Sequence, residues 1–155
     1  MILSIHTVFS ILALFCGVIF LIPRGTKRHK QLGYVYSFSM LICLITSFWL
    51  YELWGKFGVY HVMSIVSFVT LMIALYFPLK ARHLKNWVDY HLIWMGYSYI
   101  GLVMAGGSHL FGVVPEWNIW IRVGLFWVLP YVLGSVLIFS NKAKASAKAK
   151  LNMGS

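Results

Sequence analysis

Acidic side chains are nearly missing from this chain: Glu52, Asp89 and Glu116 are the only three in 155 residues. A hydrolase built on paired carboxylates has almost nothing to draw on, and no G-x-S-x-G nucleophile turn is present either. Charged residues of both signs make up only 10% against 61% hydrophobic, which excludes a soluble domain with a solvated surface. Cysteine is equally scarce. Cys16 and Cys43 each sit in the middle of an apolar run with no C-x-x-C or metal-type spacing, so both read as small apolar residues and report nothing about redox compartment. A positively charged region ahead of the first apolar run and an A-x-A-like site after it are absent too, so that run is expected to remain as a membrane span.

What is present is hydrophobic length. Five stretches meet the roughly 20 residues needed to cross about 30 Å of hydrocarbon: Ile2 to Ile22, Gly33 to Leu53, Val59 to Leu79, Val88 to Phe111 and Trp117 to Phe139. Helix is the expected state, because an open strand leaves backbone groups unpaired in lipid and no barrel-like alternation occurs. Pro23 and Gly25 close the first stretch, Pro78 lies near the end of the third and Pro115 precedes the fifth. Pro130, inside the fifth, is expected to kink it and free the carbonyl of Phe126. The fold expected is an all-α integral membrane protein with a five-helix domain over residues 1–140 and a basic low-complexity tail over 141–155.

The net charge of +10 is a topology signal and no nucleic-acid footprint, because the basic residues cluster between apolar runs without exposed stacking aromatics. Arg24, Lys27, Arg28 and Lys30 follow the first run; Lys80, Arg82 and Lys85 follow the third; Lys142, Lys144, Lys148 and Lys150 follow the fifth. With five spans all three clusters share one side, which the positive-inside rule makes cytoplasmic, leaving the N-terminus outside. Trp49, Trp54, Trp117 and Trp120 then mark the outer interface, and Trp87 and Trp94 the inner one. The tail from Asn141 reads as disordered or loosely held on anionic lipid. The bilayer is the expected partner and a bacterial inner membrane the expected location.

Chemistry is expected at the histidines, since ionisable groups kept inside a membrane are functional candidates. His6, His61 and His109 fall at comparable outer depth on three different spans. They make a candidate three-nitrogen site for zinc or copper, with Glu52 or Glu116 nearby and Tyr51 or Tyr60 as supporting hydrogen-bond partners. His91 lies about a turn into the fourth span, where His29 could meet it if the second and fourth spans are neighbours. His91 and His109 are separated by about 27 Å of helical rise and cannot share one metal. His83 reads as a loop residue and Met95 as packing. Arg122, in the fifth span, needs an anion from Glu116, Glu52 or a cofactor carboxylate such as a haem propionate, unless it snorkels to headgroups. For any single histidine an interhelical hydrogen bond is the commoner role. Gly96, Gly101, Ala105, Gly106 and Gly107 make the fourth span rich in small residues that admit close helix packing.

The segments around these histidines carry a resemblance. His6 before an apolar span, "RGTKRHKQLGYVYSFSM" with His29 and Gly33, "FGVYHVMSIVSF" around His61, and "DYHLIWMGYSYIGLVMAG" around His91 and Met95 resemble the small predicted bacterial membrane proteins grouped as domain of unknown function 2306. The likeness covers nearly all the chain up to about His109 and implies the architecture without supplying an activity. A looser likeness is to two-haem b-type membrane cytochromes and ferric-reductase-like proteins, which hold haem between histidines near each membrane face. Those often place two histidines on each of two helices, whereas here only the fourth span carries one at both ends. Three functions follow as expectations. In the first, haem b is bound by His6 with His61 and by His29 with His91, passing electrons from quinol or to a redox partner. In the second, His6, His61 and His109 hold zinc or copper. The third is a non-catalytic membrane subunit or assembly factor.

Overall fold

The computed structural model describes residues 1–17, 22, 25–50 and 58–153, with residue 59 and residues 143–153 described by backbone alone. Pro23, Arg24, Tyr51, Glu52 and Trp54, to which the sequence assigns roles, lie outside the described residues, as do the side chains of Lys144, Lys148 and Lys150. Helices α1 (Ile2–Cys16), α2 (Lys27–Ser47), α3 (Val59–Lys80) and α4 (Trp87–His109) are followed by a 3₁₀ turn over Leu110–Gly112. After residues 113–118 a fifth helical stretch runs continuously through α5 (Ile119–Val123), a π-helical turn (Gly124–Val128) and α6 (Leu129–Met153). No strand occurs among the described residues.

Two stretches are long and apolar enough to cross a bilayer, Tyr60–Lys80 and Ile119–Lys142, at 21 and 24 residues. At 1.5 Å per residue these reach about 31 and 36 Å, enough for the hydrocarbon layer. Few of their side chains are buried. Val62, Val66 and Val69 on α3 and Val132, Val136 and Leu137 on α6 face outward, as lipid allows and water does not. Helix α1 is apolar but has only 15 residues. Helix α2 begins in the charged Lys27-Arg28-His29-Lys30 turn, and α4 carries Asp89, Tyr90 and His91.

Local chemistry sets several boundaries. Thr26 caps α2 by accepting the backbone N–H of His29 at 3.1 Å, so the helix starts six residues before the apolar run expected at Gly33. Asn118 caps α5 in the same way, accepting from the Trp120 N–H at 2.9 Å. Downstream of the π turn, α6 continues to Met153. Where the sequence suggests a tail either disordered or loosely held on anionic lipid, the backbone is helical: the Ala- and Lys-rich segment is composed of strong helix formers and extends the helix.

The chain divides into two compact units, Met1–Val69 and Thr70–Ser155. In the first, His6 meets Thr46 while Ser10 meets Cys43, so α1 and α2 run antiparallel. Ala13, Cys16, Tyr36, Met40, Cys43 and Leu44 are buried there. In the second unit α4 and α6 are antiparallel, with Asp89 paired to Lys142 at 4.0 Å and Tyr97 reaching Ser135 at 3.4 Å. Two glycine and isoleucine pairs lock them together. Ile138 fills the space where a Gly96 side chain would stand, and Ile100 comes within 2.5 Å of the place a Gly134 Cβ would take. Each isoleucine therefore packs on the bare backbone of the other helix, the close approach that small residues permit between membrane helices.

Candidate functional site

Pro78 is the third-to-last residue of α3. Lacking an N–H, it cannot donate to the carbonyl four residues earlier, which belongs to Ala74. His91 on α4 fills that role: its Nδ1 lies 2.9 Å from the Ala74 oxygen. A carbonyl only accepts, so Nδ1 must carry the proton, and in the neutral ring the lone pair then resides on Nε2. The same contact settles an orphaned backbone group, joins two helices and orients the imidazole. Stacking of Phe77 on Tyr90, with ring centroids 5.1 Å apart, reinforces the junction one residue away on each helix.

His6 shows the same polarity in the first unit. Its half-buried Nδ1 donates to the Cys43 carbonyl at 3.1 Å and lies 3.0 Å from the Thr46 hydroxyl. Thr46 is itself committed as a donor to Ile42 at 2.7 Å and Cys43 at 3.0 Å, which leaves its oxygen to receive the imidazole proton. Ser10 donates to the His6 carbonyl at 2.6 Å and touches the Cys43 sulfur at 3.0 Å. The α1 and α2 interface is therefore polar toward the N-terminus of α1 and the C-terminus of α2, as membrane helices commonly are where hydrogen bonds join them.

His61 is set the other way round. It is buried, and its Nδ1 accepts the backbone N–H of Gly58 at 3.2 Å. That acceptor role places the proton on Nε2, itself a buried atom, and makes it a donor. Its ring lies 6.4 Å from Phe48, and nearby Ser47 joins α2 to α3 through Ser64 at 2.8 Å.

The remaining candidates are more exposed. His29 is half-buried in the first turn of α2, His109 is exposed as the last residue of α4, and His83 is exposed in the loop after α3. His6, His29 and His61 belong to the first unit, His91, His109 and Arg122 to the second. Among the described residues no group of three or more His, Cys, Asp or Glu side chains gathers in a way that could hold a metal ion. Arg122 is part-buried, donates through one terminal nitrogen to the Phe111 carbonyl at 3.2 Å and stands 5.7 Å over the Phe111 ring.

Sequence reasoning named His91 but missed Ala74 as its partner. The signal was available: the argument that Pro130 frees Phe126 applies equally to Pro78 and Ala74. Just before Pro130 the chain forms the π turn, after which the Leu129 N–H reaches back to the Gly124 carbonyl. Helix α4 closes on this turn, with the Phe126 oxygen only 3.1 Å from where a Gly107 Cβ would stand.

Searches among curated proteins and among solved structures each give no match. A family model described as a predicted membrane protein matches residues 3–138, which takes in α1 from its second residue, α2 to α4 and most of the fifth helical stretch. The chain belongs to this family of predicted membrane proteins, DUF2306.

Proposed function

We propose that the chain is a multi-pass membrane protein that holds haem b through the Nε2 atom of His91. The observation that carries this reading is the His91 Nδ1–H bond to the Ala74 carbonyl. Histidines that ligate metals through Nε2 characteristically donate their other N–H to a backbone carbonyl or carboxylate, which fixes the tautomer and the ring plane. The choice of haem over zinc or copper follows from ligand number. A zinc site asks the protein for three or four ligands, and among the described residues no such group assembles. A porphyrin supplies four nitrogens to its iron and asks the protein for one or two axial ligands. When bound, haem would supply one-electron chemistry, with quinol as a fitting donor in the membrane. The topology that accompanies this reading has five spans in a bacterial inner membrane, N-terminus outside and basic loops in the cytoplasm.

A second reading is favoured by Pro78. Because Ala74 needs a donor whether or not a cofactor is present, His91 has sufficient reason to exist as a helix clasp. The protein is then a non-catalytic membrane subunit or assembly factor. An absorption spectrum and metal analysis of gently purified protein separate the two. A Soret band with roughly stoichiometric iron supports haem binding. Absence of both, also after incubation with haem, leaves the clasp as the function of these side chains.

A further inference from the structure

The end of the second unit formed by the C-terminus of α4 and by α5 contains a cation with no counter-ion among the described residues. Arg122 offers five N–H donors in a rigid fork. One terminal nitrogen is used on the Phe111 carbonyl, while Nε is shielded from solvent and has no hydrogen-bond partner among the described residues. Asp89 is engaged by Lys142 near the other end of α4, and Glu116 is exposed and forms no ion pair with a described residue. A guanidinium that merely snorkelled would keep its donors wet. This one is instead held over the Phe111 ring. Phe111 packs in turn on Phe126 at 5.7 Å and Trp127 at 6.5 Å, and Trp127 is pinned by its indole N–H to Ser108 at 2.8 Å. The arginine is thus preorganised by a ring cluster with three of its four terminal N–H donors uncommitted among the described residues, and a planar pair of terminal nitrogens matches a tetrahedral oxyanion through two parallel hydrogen bonds.

We propose that Arg122, braced by Phe111, is a binding site for one phosphate-type oxyanion, either the phosphate of a lipid headgroup or a free anion. The site is independent of the haem reading.

The test uses the full chain purified in a phosphate-free maltoside detergent, with its melting temperature followed by circular dichroism. Inorganic phosphate is compared with chloride at equal ionic strength, and short-chain phosphatidylglycerol with a diacylglycerol that lacks the phosphate. The wild type should melt several degrees higher with at least one phosphate source, R122K should keep part of that shift and R122Q none. A control variant, K80Q/K85Q, should shift like the wild type. A response to inorganic phosphate supports a free-anion site, and a response to the lipid alone supports a headgroup site. No shift in the wild type, or an equal shift in R122Q, overturns the proposal.

Discussion

The imidazole of His91 occupies the place of the N–H that Pro78 removes from α3, bonding the Ala74 carbonyl at 2.9 Å from a neighbouring helix. This makes the two residues energetically dependent on each other. H91A should lower stability by about 1 to 2 kcal/mol, the range expected for losing an interhelical hydrogen bond and leaving a shielded carbonyl unpaired. In a P78A background, where residue 78 can donate to Ala74, the same substitution should cost much less. A double-mutant cycle from unfolding in mixed detergent measures the coupling, and additive effects would show that the bond is not the source of the loss.

Tautomers provide a second check. His91 and His6 donate through Nδ1, whereas His61 accepts through it. Nitrogen chemical shifts of selectively labelled histidine in metal-free protein above pH 8 should therefore show two Nδ1–H rings and one Nε2–H ring for these residues. An Nε2–H signal from His91 would contradict this geometry.

The interlock of α4 and α6 predicts asymmetric tolerance. Ile138 leaves no room for a side chain at Gly96, so G96V should destabilise by about 1 to 3 kcal/mol through overpacking. Pairing it with I138A should recover part of the loss, which thermal unfolding of the single and double variants measures. Gly112, by contrast, has nothing within 4 Å of the place a Cβ would take, and G112A should leave the melting temperature nearly unchanged.

How far these features could be read in advance differs by kind. Hydrophobic length located the helices, since burial in lipid imposes a composition on every residue of a span. Boundaries were less visible because single side chains set them. Thr26 starts α2 within a run of charges that hydropathy discounts, and helix-forming Ala and Lys carry α6 past Asn141. The candidate histidines were conspicuous as polar groups in an apolar chain. Their partners were not, because Ala74 and Cys43 act through carbonyls that every residue possesses, and only the missing N–H of Pro78 marks one of them. Arg122 was visible as a charge needing an anion, but the ring of Phe111 beneath it arises only from the turn after α4.

The central claim separates from the clasp reading through H91N. Asparagine presents its amide N–H close to where the Nδ1–H of histidine stands, so it can keep the bond to Ala74 while removing Nε2. The decisive measurement is the absorption spectrum of haem-incubated H91N beside the wild type, on samples matched for melting temperature. Haem ligation by His91 predicts a Soret band in the wild type that is lost or shifted in H91N at unchanged stability. Identical spectra for the two proteins, with or without a band, would contradict it.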